Sequence, residues 1–167
     1  MSQSATISVA VSVEQSSSGD INTALNTITQ ALTTQLLDGT GADQANQAFS
    51  DERTLAASTS ENLDLAGGLT DVFGSAITFT KIKAMAVFAG ANNGDNIEVG
   101  GAGSNGFDSW VGASGDKVNV PPGGMLLLTA PDLAGLSVTA STGDLLTINN
   151  TDSGASGTYK IVLIGTE

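Results

Sequence analysis

Apolar and polar residues alternate strictly near the start of the chain. Within residues 5–13, one face of an extended segment would carry Ile7, Val9, Val11 and Val13, and small polar residues would fill the other. This alternation predicts a half-buried β-strand. A strand at this position can complete a sheet of its own chain, or it can pair with a neighbouring molecule by β-addition, and the sequence leaves both open.

The next segment has a different apolar spacing. Its large apolar residues are separated by four, three, four and four positions: Ile21, Leu25, Ile28, Leu32 and Leu36. This spacing, with Asp20 as an N-cap and Gly39 beyond the end, predicts a short helix over residues 20–30. The many threonines are poor helix formers, so residues 31–37 fit a helix or a strand.

From residue 76 onward, short apolar runs recur between glycine and proline turns. The strongest run covers residues 76–89, where the alternation slips by one position and predicts a β-bulge near Thr80 and Lys81. Strands at intervals of about 8–12 residues are typical of a sandwich or barrel. We therefore predict a mainly β protein: an antiparallel, jelly-roll-like β-sandwich over residues 39–167, preceded by an N-terminal arm over residues 1–38.

Composition narrows the chemistry that this fold can carry. The 167 residues include no cysteine and no histidine, so disulfides, thiolate metal sites and histidine-based nucleophile systems are excluded within the chain. The net charge is −12 with only five basic residues, which argues against nucleic-acid partners. We also expect no signal peptide and no membrane-spanning segment.

Each candidate for ligand or catalytic chemistry has a simpler structural explanation. Residues 101–106 match the pattern G-x-G-x-x-G, but strand and turn patterns follow where a nucleotide site needs a helix. The aspartates lie mostly in turns, which they stabilise without catalysis, and the Asn/Asp clusters do not match a calcium loop. We predict no catalytic residue, no cofactor, no metal site and no enzyme activity.

The few large aromatic residues are better suited to packing than to catalysis. In a chain with 4% aromatic residues, Phe107, Trp110 and Tyr159 are expected in the core or in an interface. The candidate interface residues are Ile7, Val9, Val11, Val13, Phe107 and Trp110.

A series of short motifs, in a fixed order, resembles a family of small β-rich virion structural proteins of tailed bacteriophages. The motifs are GTGADQAN (39–46), RTLAAS (53–58), LDLAGGLTD (63–71), VGGA (99–102), VPPGG (120–124), TGDLL (142–146) and YKIVLIG (159–165). The similarity covers about residues 39–165 and does not extend into the N-terminal 38 residues. It implies a virion component assembled in the host cytoplasm, and it implies no catalytic residues.

The resemblance leaves two locations in the virion open. The first is a capsid decoration (cement) protein that packs on the major capsid protein, and the alternative is a tail- or fibre-associated protein that contributes to host attachment. Several predicted strands are apolar on both faces, whereas a sandwich core covers only one face of each strand. The second apolar face therefore needs another cover. We therefore expect a homo-oligomer, with a cyclic trimer favoured.

Overall fold

The computed structural model describes residues 2–167, which form β-strands and no α-helix. The strands are β1 (Ala5–Ser18), β2 (Thr23–Leu36), β3 (Gln47–Leu55), β4 (Ser60–Asp64), β5 (Leu69–Thr70), β6 (Ala76–Ile77), β7 (Lys81–Ala89), β8 (Ile97–Gly100), β9 (Lys117–Val120), β10 (Met125–Thr129), β11 (Leu136–Ser137), β12 (Leu145–Asn150) and β13 (Gly157–Thr166). The predicted mainly β class is confirmed.

Eight of these strands, joined by the short β11, build two antiparallel sheets. The first sheet has the order β10-β7-β13-β3, with β11 also pairing with β7, and the second has the order β4-β12-β8-β9. Along the chain, β3, β7, β10 and β13 fall in the first sheet, whereas β4, β8, β9 and β12 fall in the second. This distribution and these strand orders define an eight-stranded jelly roll, in agreement with the prediction.

The hydrophobic core lies between the two sheets. Met85 and Leu163 point inward from the first sheet, and Val99, Leu146 and Ile148 point inward from the second, all with no exposed surface. Burying one such side chain contributes about 1.5–3 kcal/mol. The alternation of the sequence fixes which residues face inward, and hence which ones remain on the outer faces.

The β-bulge lies a little further along the chain than predicted. Ile164 of β13 pairs with Ala84 of β7, but the next residue, Gly165, pairs with Ile82. Lys83 is therefore the extra residue, rather than Thr80 or Lys81. The bulge lets Ile82 and Met85 both face the core although they are three positions apart.

The predicted helix over residues 20–30 is wrong. Residues 23–36 form β2, which pairs with the whole length of β1 in a two-stranded antiparallel ribbon. Ile28, Leu32 and Leu36 are four positions apart and so lie on one side of a helix, but they also lie on one face of a strand because four is an even number. The threonines of this segment favour the extended conformation, and the long pairing with β1 stabilises it.

Candidate interaction surface

The ribbon of β1 and β2 is the part of the molecule that the sandwich core does not explain. Each strand has 14 residues, so the ribbon is about 48 Å long. Every residue from 10 to 33 is exposed, whereas Leu36 at the base is buried. The ribbon therefore projects from the jelly roll.

The two faces of the ribbon differ in chemistry. Directly paired residues lie on the same face, and Val9 pairs with Leu32 while Val13 pairs with Ile28. We call this side the apolar face; its large apolar residues are Ile7, Val9, Val11, Val13, Ile28 and Leu32.

The opposite side, which we call the hydroxyl face, carries mostly small polar residues, with Leu25 as its one large apolar residue. The paired hydroxyls of Ser8 and Thr33 lie 3.4 Å apart, as do those of Ser12 and Thr29. Such cross-strand hydroxyl pairs stabilise a ribbon while its surface stays in contact with water. An amphipathic ribbon of this kind needs an apolar cover on one face only.

The base of the ribbon is held against the jelly roll. Gln3 donates hydrogen bonds from its backbone to Asp38 Oδ1 (3.2 Å) and from its side chain to the carbonyl of Gln47 (3.2 Å). Leu37, just after the ribbon, donates to the carbonyl of Asp43 (2.9 Å). These contacts fix the point where the ribbon leaves the body.

An apolar groove lies between the base of the ribbon and the outer face of the first sheet. Its volume is about 460 Å³. Ile7 and Val9 line one side, and Met125, Leu127 and Val162 are among the residues that line the other. The near half of the apolar face thus faces the first sheet of its own chain across this groove.

The far half of the apolar face lies in water. Val11 is 58% exposed, Val13 43% and Ile28 49%. Isolated exposed apolar residues are normal on a protein surface, but a contiguous row of them on one face marks an interaction site.

No ionisable residue lies on the apolar face. The whole ribbon contains only two charges, from Glu14 on the hydroxyl face and Asp20 in the turn between the strands. All five basic residues of the chain lie in the jelly roll. Recognition through the apolar face must therefore rest on apolar contact and on amide groups such as that of Gln30.

The four predicted interface residues of the first strand share this face, but the two aromatic candidates do not. Phe107 is 2% exposed and belongs to the core, so its ring is unavailable to a partner. Trp110 packs against the same core, and its indole Nε1 donates to the carbonyl of Phe107 at 2.8 Å. The glycine loop before Phe107 bends the chain inward, which the sequence does not reveal.

Sequence reasoning missed the first part of the second strand, and with it Ile28, and it left residues 31–37, which include Leu32, open between a helix and a strand. The signal that could have identified them is the threonine content of residues 23–34, together with the Ser- and Gly-rich turn that separates the segment from the first strand.

The largest polar cluster of the jelly roll joins the two sheets. Tyr159 donates a 2.8 Å hydrogen bond to Glu61, and Arg53 forms ion pairs with Glu61 and with Asp51. Burial and the hydrogen bond to Glu61 raise the pKa of Tyr159 well above its usual value near 10. Each group in the cluster is engaged by another, so the arrangement cross-links the sheets.

The turn aspartates bind backbone amides, as their positions in the sequence indicate. Asp152 accepts from Gly154 and Ala155, and Asp132 accepts from Gly135. Within residues 2–167, no three acidic side chains converge as metal ligands would. That part of the chain also contains no helix that could cross a bilayer.

Comparison with known proteins found no match: the chain matches no protein-family model, no curated protein and no solved structure.

Proposed function

We propose that this chain is a structural protein of a tailed-bacteriophage particle, and that it decorates the capsid by packing on the major capsid protein. The observation that carries the structural role is the ribbon, which presents an uncharged apolar face about 48 Å long beside a compact jelly roll. The ordered motifs within residues 39–165 support the assignment to phage particles.

A decoration protein binds through area and shape. The jelly roll supplies a body whose polar cross-links are internal, such as the one between Tyr159 and Glu61. The ribbon supplies adhesive surface that extends beyond that body. The acidic charge, −12 overall, keeps free subunits soluble before they assemble.

We further propose that the protein acts as a homotrimer. A cyclic oligomer presents several identical jelly rolls to a symmetric shell, and each additional contact raises the overall avidity without requiring a strong single contact. A trimer fits a shell position of threefold or quasi-threefold symmetry.

The test is a count of copies per virion. Particles of the phage that encodes the chain would be purified, and the chain would be quantified by mass spectrometry relative to the major capsid protein. We expect a copy number of the same order as that of the capsid protein. A few copies per particle would replace decoration by the tail- or fibre-associated role, and absence from purified particles would refute a virion role.

A further inference from the structure

We infer that the apolar face of the ribbon is a self-association surface, and that its occupant is the same face of other copies of this chain. This inference concerns the isolated protein in solution. It does not depend on the proposed role in a phage particle.

The first step is that the ribbon needs a cover from outside its own chain. A two-stranded hairpin with both faces in water is at best marginally stable. Ordering each residue costs about 1–2 kcal/mol of backbone entropy, and residues 10–33 bury little of their surface in return. Only the base, near Ile7 and Val9, lies against the jelly roll.

The second step is the charge pattern, which selects the partner. Two copies of a chain with net charge −12 repel each other, and this repulsion is smallest where they meet through a surface that brings no like charges together. The apolar face is such a surface, since the only charges of the ribbon, on Glu14 and Asp20, lie elsewhere. Interfaces between identical subunits are also more apolar and more depleted of charge than those between transient partners.

The third step is self-complementarity. The polar side chains on the apolar face include Gln15, Asn26 and Gln30, each of which carries both a donor and an acceptor. An amide can therefore pair with the same amide of another copy, as Asn26 already pairs with Gln15 within the ribbon at 3.1 Å. A basic or acidic partner would find no matching charge on this face.

The free area sets the strength of the contact. Two strands are about 10 Å wide, so the far half of the ribbon, about 24 Å long, presents roughly 240 Å² in projection. Its accessible area is larger because the side chains stand out from the sheet. A standard stable interface buries about 800 Å² per partner, so we expect an association that depends on protein concentration.

The test uses the full-length chain and two matched double substitutions. Val13→Lys with Ile28→Lys places two charges on the apolar face, and Ser12→Lys with Thr29→Lys places the same charges one position away on the hydroxyl face. Both variants lower the net negative charge equally, so a difference between them cannot come from long-range repulsion. Molar mass would be measured by light scattering across a wide range of protein concentration.

We expect the wild-type chain and the Ser12/Thr29 variant to be oligomers. The Val13/Ile28 variant should have a dissociation constant at least about thirtyfold higher, since two charges desolvated at about 1–3 kcal/mol each cost about 2 kcal/mol or more. Circular dichroism would show that the jelly roll of each variant remains folded. A wild-type chain that is monomeric at every concentration would overturn the inference, as would equal masses for the two variants.

A second measurement detects the contact directly. The chain has no cysteine, so Val13→Cys introduces its only thiol, and Ser12→Cys provides the control on the hydroxyl face. Under mild oxidation we expect covalent dimers from the Val13→Cys protein and few from the Ser12→Cys protein. Equal yields from both would contradict the packing of apolar faces.

Discussion

The hydroxyl of Tyr159 donates a 2.8 Å hydrogen bond to Glu61 at one side of the sandwich. Tyr159 lies on β13 of the first sheet and Glu61 on β4 of the second. Arg53, on the neighbouring strand β3, neutralises the carboxylate from the other side. The bond therefore connects the two sheets through a partly exposed ion pair, in which the side chains of Arg53 and Glu61 are 31% and 24% exposed.

Loss of this bond should cost a measurable but limited amount of stability. Tyr159→Phe removes the hydroxyl and leaves Glu61 paired with Arg53, so we expect the free energy of unfolding in urea to fall by about 1 kcal/mol. Arg53→Met leaves a partly buried carboxylate without its cation, and the loss should be larger, about 2 kcal/mol.

The control is an ion pair on the surface. Lys160 and Glu52 lie 3.5 Å apart, and both side chains are mostly exposed. Lys160→Met should change the unfolding free energy by less than about 0.5 kcal/mol. A surface effect as large as that of Tyr159→Phe would contradict a special role for the link between the sheets.

The raised pKa of Tyr159 predicts a loss of stability in alkali. The folded chain holds the phenol proton more tightly than the unfolded chain, whose tyrosine titrates near pH 10. The contribution of the protonated phenol is therefore complete below about pH 10, and it is lost as the pH rises further. Because Tyr159 is the only tyrosine, the absorbance of tyrosinate should appear together with unfolding and not before it.

The Tyr159→Phe variant isolates this effect. Burial lowers the pKa of Lys83, and this makes the free energy of unfolding increase with pH up to about pH 10.5. The contribution of Lys83 is the same in both proteins, so it cancels in their difference. Above pH 10, unfolding free energies in urea should therefore decrease less steeply for Tyr159→Phe than for the wild type. Parallel curves, or tyrosinate formed while the chain is still folded, would contradict the prediction.

The jelly roll could be predicted from the sequence because its information is local. The turn at Pro121 indicates a strand boundary, and the apolar run around Val162 indicates a buried strand, each without knowledge of the rest of the chain. The ribbon is different, since Leu32 and Leu36 are four positions apart and satisfy the period of a helix and that of a strand equally. Only the pairing with β1, a contact between distant residues, decides between them.

Part of the candidate surface could also be predicted from local sequence. The alternation identified Ile7, Val9, Val11 and Val13 as one face of a strand, and the structure places them together. The position of Phe107 could not be predicted, since an aromatic residue after a glycine loop fits an interface as well as a core. Its burial depends on how the loop bends over the second sheet.

A single buried amide holds two loops of the jelly roll together. Asn150 donates from Nδ2 to the carbonyls of Ala155 (2.9 Å) and Ala56 (3.1 Å), and its Oδ1 accepts from the backbone of Asp152 (3.1 Å). Asn150→Leu leaves these two carbonyls and the backbone amide of Asp152 without hydrogen-bond partners, so it should lower the unfolding free energy by about 3 kcal/mol.

The comparison for Asn150 is Asn149, the next residue along β12. Its side chain is only partly buried and makes a weaker contact with Glu98 at 3.3 Å. Asn149→Leu should cost less than about 1 kcal/mol in the same urea measurement. If the two substitutions had equal effects, the loops would not depend on the Asn150 amide.

Removal of the ribbon should separate stability from assembly. The core cluster contains no residue of β1 or β2, so a chain that begins at Thr34, after an initiating methionine, retains the whole sandwich interior and the buried Leu36. It loses Ile7 and Val9, which are half-buried beside the groove, and this burial contributes about 1–2 kcal/mol in total. By contrast, Leu146→Ala in the full-length chain should cost about 2–5 kcal/mol because it opens a cavity in the core.

We expect the shortened chain to unfold cooperatively in urea and to have the molar mass of a monomer, whereas Leu146→Ala should be less stable but still oligomeric. A shortened chain that remains oligomeric would place the contact between subunits on the jelly roll, and one that fails to fold would show that the ribbon is part of the folding unit.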